Sequence, residues 1–255
     1  MLNFKNINLF FCFLFVGIYA YDLFYGIRDL WLVVAIAVWF LLTFMGSFNI
    51  GWNYFTKAFN RKRSSKEKKI ALTFDDGPHP EHTPLVLDVL KKHKTKATFF
   101  LIGKHIEAHP DIVKRIHREG HDIGNHSYSH SNTIAFSIQK KWRQELSKTE
   151  RLIEMNAGKS KKLFRPPYGV TTPSLARAIE QSKHVVIGWN IRPFDTVVKN
   201  TSLIIKTILT KLKSGSIVLL HDTHTKAPEI LERLLSKLKE KGYQAVSITE
   251  LQNES

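Results

Sequence analysis

The sequence predicts an α/β fold in which a parallel sheet, open or closed into a barrel, follows a pair of transmembrane helices. Three observations support this prediction. Two long apolar runs without charge occupy the first 50 residues. From residue 70 onward, short apolar runs alternate with amphipathic stretches, which is the pattern of strands and helices around a parallel sheet. Once about 50 residues are assigned to the membrane, roughly 200 remain, enough for one well-buried core.

The two apolar runs cover residues 7–21 and 30–50. The second is long enough to cross a bilayer as a helix. The first is short, but Asn6, Asn8 and residues 22–25 can lie at the interface. Tryptophan and tyrosine residues stand in or beside both runs, several of them where an aromatic belt would place them. A signal peptide is the alternative for the first run, although no small-x-small cleavage site is evident. We predict a membrane anchor over residues 1–55, formed by a transmembrane helical hairpin.

The flanking charges predict the orientation of this anchor. The loop between the runs has Arg28 as its single base, beside Asp22 and Asp29. Basic residues crowd the exit of the second run: Lys57, Arg61, Lys62, Arg63, Lys66, Lys68 and Lys69. The positive-inside rule then places the following domain on the cytoplasmic face, whereas a first run that does not cross would place it outside. Residues 56–69 are predicted to be a basic linker, either solvated or in contact with lipid headgroups.

Residues 70–255 are predicted to form one domain. Apolar runs predict strands at residues 70–74, 97–102, 122–124, 185–189, 217–220 and 245–248. Thr83-Pro84 and Thr172-Pro173 are typical of a helix N-cap followed by proline at the first helical position. Apolar residues at helical spacing predict two more helices, with Gly242 as a C-terminal cap of the second: Ile138, Trp142, Leu146 and Ile153, then Ile230, Leu231, Leu234, Leu235 and Leu238.

Polar and titratable side chains follow the predicted strands. In parallel α/β folds the chemistry gathers at the carboxyl ends of the strands, so these side chains should meet at one rim. The segments are Asp75-Asp76-Gly77-Pro78, Asn125-His126-Ser127-Tyr128-Ser129-His130, Arg165-Pro166-Pro167-Tyr168-Gly169, residues 190–195 and His221-Asp222. This clustering predicts an active site.

His126 and His130 are candidate metal ligands. Four residues apart, they would share one face of a helical turn, where two imidazoles can hold one divalent ion. Asp75 and Asp76 follow an apolar strand, so their side chains should point to opposite sides, one to the ion and one to the attacking water. Two imidazoles and one carboxylate leave open coordination positions, as catalysis requires. The alternatives are a plain Asp-Gly-Pro turn and solvated histidines, since the chain has 12 histidines.

Four successive motifs resemble the signature of the polysaccharide deacetylases, the chitin-deacetylase-like carbohydrate esterases. They occur in the family's order: Thr73-Phe74-Asp75-Asp76-Gly77-Pro78, His126-Ser127-Tyr128-Ser129-His130, Arg165-Pro166-Pro167-Tyr168-Gly169 and Leu219-Leu220-His221-Asp222. The resemblance covers about residues 70–248. It implies a distorted (β/α) barrel of parallel strands, which narrows the fold prediction above.

The resemblance also implies one divalent metal ion, zinc in the first place, with cobalt, nickel or manganese as alternatives. Asp76, His126 and His130 would be its ligands. Asp75 would be the general base that takes a proton from the attacking water. Arg165 would orient Asp75 through a charge-assisted hydrogen bond.

On the leaving-group side, the resemblance implies His221 as the general acid that protonates the departing amine, with Asp195 tuning that histidine. The family pattern has tryptophan after this aspartate, whereas this chain has Thr196, which puts the shape of the acyl pocket in doubt. The backbone N–H of Tyr168 would stabilise the oxyanion. The other substrate-binding candidates are Pro167, Leu219 and Trp189.

The implied reaction is hydrolysis of an acyl group, in the first place acetyl, from the nitrogen of an amino sugar. A wall or exopolysaccharide glycan, a soluble chitooligosaccharide and a lipid-linked sugar compete as substrates. The anchor and the predicted cytoplasmic face favour the lipid-linked sugar or a glycan under assembly, and an outward domain would favour a wall polymer. The alternatives are an O-acetyl esterase and an inactive glycan-binding protein on the same fold.

The composition limits the partners. A formal charge of +16, from 38 basic and 22 acidic residues, predicts a negatively charged neighbour. We expect membrane lipid, reached through the hairpin and the basic linker, and no nucleic acid, because no basic motif is interleaved with aromatic residues. The single cysteine, Cys12, excludes a disulfide framework and a cysteine zinc site. His224 is expected at the surface.

Overall fold

The structure is a computed structural model that describes residues 3–26, 30–65 and 67–254. Two apolar helices precede one α/β domain. The helices are α1 Phe4–Tyr25, α2 Leu30–Phe48, α3 His82–Lys92, α4 Gly103–Ala108, α5 Pro110–Arg118, α6 Gln139–Ala157, α7 Pro173–Ser182, α8 Thr201–Lys211, α9 Ala227–Glu240 and α10 Ile248–Asn253. The strands are β1 Ala58–Phe59, β2 Lys69–Asp75, β3 Thr98–Leu101, β4 Asp122–Asn125, β5 Leu163–Phe164, β6 Val185–Ile187, β7 Ile217–His221 and β8 Gln244–Val246.

The eight strands form one curled parallel sheet. Its order is β1-β6-β5-β4-β3-β2-β7, with β8 added beside β2, and every pairing between these strands is parallel. Beyond β6 the chain bends back, so that Ile191 forms a parallel bridge with Val218 on β7. This bridge brings the far side of the sheet round to β7. The predicted distorted (β/α) barrel is confirmed.

The strand prediction is confirmed in outline. All six predicted strands are present, whereas β1 and β5 were not predicted because a two-residue strand is too short to show a periodic pattern. β2 pairs with three strands, β3, β7 and β8, and is buried from Ile70 to Asp75. β2, β4 and β7 end at Asp75, Asn125 and His221, so the parallel arrangement delivers three of the motifs to the same rim.

The helix starts differ from the prediction at two points. α3 begins one residue before Thr83, whose hydroxyl accepts from His79 N–H and donates to Asp222, so this threonine ties two loops together instead of capping a helix. Ile138 precedes α6 and is exposed, while the other three predicted positions of that helix are buried. Thr172 does cap α7, accepting from Leu175 N–H. Gly242 follows α9 with a φ of 72°, as predicted for a C-terminal cap.

The N-terminal helices are long and apolar enough to cross a membrane. They pack against each other, and the Trp39 indole N–H donates to Asn8 Oδ1 at 2.8 Å. Most of their apolar side chains face outward, which suits a lipid environment better than water. The loop residues Arg28 and Asp29, used above to predict orientation, lie outside the described residues.

The end of α2 and the segment that follows it both contact the folded domain. Thr171 N–H donates to the Ser47 carbonyl at 2.9 Å, and β1 pairs with β6 through Ala58 and Val186. Arg61 donates from its guanidinium to the Ser214 carbonyl. Much of the predicted basic linker is therefore bound to the sheet, and only its Lys66 lies outside the described residues. The hairpin and the barrel are joined by a packed junction and not by a flexible tether.

Candidate active site

Asp75 and Asp76 occupy the end of β2. Asp75 is buried, and Asp76 has a φ of 74°, which turns the chain out of the strand. The two carboxylates therefore converge on His126, contrary to the prediction that they point to opposite sides. Asp76 Oδ1 lies 3.4 Å from His126 Nε2 and 3.4 Å from His130 Nε2, and Asp75 Oδ2 lies 3.8 Å from His126 Nε2.

The two histidines converge through a loop and not through the predicted helical turn. Ser127 and His130 both have positive φ, which folds the chain after β4 back on itself. The imidazole rings end with their centroids 4.8 Å apart. Glu145 on α6 holds this loop, because its buried carboxylate accepts from the backbone N–H groups of Tyr128 and Ser129. Glu145 was missed in the sequence, where it is one acid on an amphipathic helix.

Asp76, His126 and His130 form a candidate metal centre. Their ligand atoms all lie within 4.8 Å of one another, and theirs is the one cluster of this kind found in the described part of the chain. His126 Nδ1 is 2.7 Å from the Arg165 carbonyl, which assigns the proton to Nδ1 and leaves Nε2 for an ion. One carboxylate and two imidazoles fit a single divalent transition metal with open positions, and this donor set does not choose between zinc and its neighbours.

The electrostatics of the cluster favour a cation. Burial opposes ionisation of Asp76, but the hydrogen bond with His126 and the nearby imidazoles lower the pKa of Asp76 well below its usual range. Burial would lower the pKa of His126, yet the charges of Asp75 and Asp76 raise it above its ordinary value. Burial and the charge of His126 lower the pKa of His130 to about 4. The cluster thus attracts positive charge, which a proton on His126 can supply.

Metal affinity is therefore expected to fall as the pH is lowered. An ion binds the neutral imidazole of His126, so it must displace a proton whose pKa is raised. Below that pKa the dissociation constant should rise by about tenfold per pH unit, since one proton is exchanged for the ion. Competition with a chromogenic chelator between pH 8 and pH 5.5 would measure this dependence. A flat profile would show that His126 is not a ligand.

Arg165 fills the interior beneath Asp75. It is fully buried, and its guanidinium donates to Asp75 Oδ1 at 2.7 Å and to Thr73 Oγ1 at 2.7 Å. Its Nε donates to the Ile187 carbonyl, and its Nη2 donates to the Gly188 carbonyl. Burial lowers the pKa of Arg165, while the Asp75 charge opposes that change. With Oδ1 held by the guanidinium, Asp75 Oδ2 is left facing the cluster.

His221 and Asp195 lie on the other side of the cluster. Asp195 is buried, its Oδ1 is 3.0 Å from His221 Nδ1, and its Oδ2 accepts from the His221 backbone N–H. His221 Nε2 is 3.9 Å from Asp76 Oδ2, so it faces the centre. Burial lowers the pKa of His221, but the bond to Asp195 and its charge raise it to about 9. His224, expected at the surface, also reaches Asp195, with Nε2 3.2 Å from Oδ2.

The remaining predicted residues lie on loops and strands beside the cluster. Tyr168 has a φ of 59°, is half-exposed, and places its ring 4.7 Å from that of His130. Pro167 precedes it in the same turn. Trp189 packs against Gly169, where an added Cβ would collide with the indole. Leu219 is buried and lies two residues before His221 on β7, so both side chains point to the same face.

Asp222 is a buried carboxyl for which no role was predicted from the sequence. It accepts from Thr83 and lies against Gly77, where an added Cβ would collide with its carboxyl oxygens. Burial raises the pKa of Asp222 to about 7. It joins the Asp75-Asp76-Gly77-Pro78 turn to the end of β7. Its place next to His221 in the fourth motif was the available signal.

Within the described residues, a curled parallel barrel carries one candidate metal cluster at the carboxyl ends of its strands, an arrangement typical of metal-dependent hydrolases. The polysaccharide deacetylase family model matches residues 62–187. A peptidoglycan-N-acetylglucosamine deacetylase of Bacillus cereus is 35% identical over 192 residues, which is 73% of this chain and 89% of the relative. The chain belongs to the polysaccharide deacetylase family.

Other similar proteins share the barrel. The peptidoglycan-N-acetylglucosamine deacetylase PgdA of Listeria monocytogenes is 38% identical over 75% of this chain, which spans 40% of that protein's length. The solved structure of the peptidoglycan deacetylase PdaC from Bacillus subtilis superposes with a TM-score of 0.67 at 35% identity, covering 73% of this chain and 91% of that one. A pseudoenzyme from Bacillus anthracis also superposes, with a TM-score of 0.70 at 31% identity over 76% and 68%.

Proposed function

We propose that this chain is a metal-dependent hydrolase that removes the acetyl group from the nitrogen of an amino sugar in a membrane-proximal glycan. The observation that carries the proposal is the arrangement of the side chains at the carboxyl ends of the strands. Three candidate metal ligands lie between a buried Asp75–Arg165 pair and a His221–Asp195 pair. Relatives named peptidoglycan-N-acetylglucosamine deacetylases support N-acetylglucosamine of peptidoglycan, or of its precursors, as the sugar.

A divalent ion at this centre would polarise the amide carbonyl. It would also lower the pKa of a water, so that the water can lose a proton and attack that carbonyl near neutral pH. Zinc is our first proposal, because imidazole ligands suit it, with cobalt, nickel and manganese as alternatives. Asp76, His126 and His130 would hold it. Asp75 would accept the proton of the attacking water through Oδ2, while Arg165 keeps Oδ1 in place.

The departing amine must be protonated before it can leave. His221 is proposed to donate this proton from Nε2, which faces the centre, while Asp195 holds Nδ1 and stabilises the protonated ring. The backbone N–H of Tyr168 is proposed to stabilise the oxyanion. Pro167, Leu219 and Trp189 are proposed to line the acyl pocket.

The His221–Asp195 pair favours amide over ester hydrolysis, because an alcohol departs more readily than an amine without a strong acid. It also argues against an inactive binding protein, since the base, the acid and the three ligands are all present. The test is acetate release by the full chain, with zinc and with a chelator, from three N-acetylated substrates and one ester. The N-acetylated substrates are chitooligosaccharides, peptidoglycan fragments and polyprenyl-linked amino sugars, and the ester is O-acetylated xylan. Chelator-sensitive release is expected. Release from O-acetylated xylan alone, or from none of these with metal bound, would contradict the proposal.

The charge pattern supports a proposal for the side of the membrane on which the domain lies. We propose a cytoplasmic catalytic domain and contacts of the hairpin and its basic flank with lipid. A reporter fused after residue 255 should then behave as cytoplasmic, with a fusion in the loop between the helices behaving as external. The reverse pattern would overturn the orientation and move the substrate to the wall polymer outside.

A further inference from the structure

The anchor ends at the rim of the candidate active site. Ser47 is the last residue but one of α2, and its carbonyl accepts from Thr171 N–H at 2.9 Å. Thr171 follows Tyr168 by three residues, so at most about 11 Å of chain separates the end of the membrane helix from the turn over the metal ligands. The site opening is therefore close to the place where α2 leaves the bilayer.

The junction between anchor and rim is packed. Ile50 is buried in one cluster with Ile134 and Phe164, which belong to the loop after β4 and to β5. Tyr54 is buried against Gly46, where an added Cβ would collide with the ring. These contacts, together with β1 in the sheet, fix the orientation of the rim relative to α2.

The rim beside this junction exposes apolar side chains. Phe136 and Ile138, in the loop after β4, are 87% and 68% exposed, and Val197, in the loop after β6, is 75% exposed. Phe194 and the half-exposed Tyr168 complete the set. β5, which leads to Thr171, lies between β4 and β6, so these loops are neighbours. Exposed apolar side chains on neighbouring loops of one rim are a candidate interaction site.

We propose that this apolar rim, formed by Phe136, Ile138, Tyr168, Phe194 and Val197, contacts the lipid bilayer interface and admits glycans that are tethered to it. Its continuity with the exit of α2 selects the bilayer as the partner. Isoleucine and valine give no flat face for a sugar ring, whereas both partition into the headgroup boundary. Arg192, 5.0 Å from the Phe194 ring, adds a cation for anionic lipid.

The proposal deepens the function proposed above and rests on it for the chemistry. A barrel held with its opening against the interface reaches the sugars nearest the membrane first. A lipid-linked glycan fits this geometry, and a polymer far from the membrane does not. The rim would therefore select substrate by position, in addition to the selection made by the metal site.

A fluorescence experiment tests the contact without using activity. Cys12 is the single cysteine, so a C12A chain accepts one labelled cysteine at a time. F136C and V197C probe the rim, and M155C is the matched control. Met155 is 79% exposed and lies in the last turn of α6, away from the carboxyl ends of the strands. In vesicles of the full chain, spin-labelled lipids should quench an environment-sensitive dye at 136 and 197 at least about twofold more than at 155. Equal quenching at all three positions would overturn the proposal.

A second measurement tests the substrate class. The F136S/I138S chain in vesicles should lose about tenfold in kcat/KM on a polyprenyl-linked N-acetylated sugar and stay within about twofold on a soluble chitooligosaccharide. M155S should change neither. An equal loss on both substrates would contradict the positional role. If neither substrate is deacetylated by any of these chains but the dyes at 136 and 197 are quenched, the proposed reaction is wrong and the membrane contact is supported.

Discussion

Replacing Asp76 by alanine is expected to abolish metal binding and acetate release together. Its Oδ1 lies 3.4 Å from both His126 Nε2 and His130 Nε2, so it is the one anion of the cluster that contacts both imidazoles. Without it two neutral ligands remain. We expect metal affinity to fall by more than about a hundredfold, beyond the loss seen on removing an outer partner of a ligand. Metal content after gel filtration and acetate release would be measured on the same sample.

The control for this variant is Asp111→Ala. Asp111 is an exposed carboxylate on α5, paired with Lys114 at the surface, and its removal should change neither metal content nor turnover. An Asp76→Ala chain that retained one equivalent of metal and normal turnover would show that the ligand assignment is wrong. Loss of activity with full metal content would move Asp76 from the ligands to the catalytic groups.

Replacing Asp75 by asparagine is expected to leave the metal in place and remove most of the turnover. The amide can still accept from the Arg165 guanidinium, but it cannot take a proton from the attacking water. Loss of a general base costs about 10²- to 10⁴-fold in rate. The kcat should fall by this factor with metal content near one equivalent, measured by acetate release and elemental analysis. Normal turnover would place the base elsewhere.

This change also leaves the buried Arg165 without a counter-charge, so stability must be measured beside activity. Removing one member of a buried pair can cost about 3–5 kcal/mol of unfolding free energy. Asp122→Asn is the matched control, because Asp122 is buried at the opposite end of the sheet and pairs with Lys161. It should lower the melting temperature and leave kcat unchanged. A comparable fall in kcat in both variants would assign the effect to stability.

The periodic features of the fold were predictable from the sequence. Six strands and the α7 cap at Thr172 follow from apolar runs and capping chemistry. The two-residue strands β1 and β5 were missed, since two residues show no period and their place depends on distant partners. The charges of Lys57 and Arg61 likewise gave no indication of β1, which lies between them and pairs with β6.

The site was predictable in composition and less so in geometry. The motifs identified the residues that the structure gathers, but the positive φ of Asp76 and His130 was not visible in the pattern. Local rules of alternation and helical spacing therefore gave the wrong side-chain directions. Glu145, Asp222 and His224 were missed because each acts through a tertiary contact, with backbone N–H groups, Thr83 and Asp195 respectively.

The proposed function requires one metal ion, held by Asp76, His126 and His130, for removal of the N-acetyl group. This requirement is tested by stripping the full chain with a chelator and titrating zinc back while following acetate release from an N-acetylated chitooligosaccharide. We expect the stripped protein to be inactive and its activity to rise linearly with added zinc to a break at one equivalent. Activity that survives stripping, or that is not restored by zinc, cobalt, nickel or manganese, would contradict this requirement.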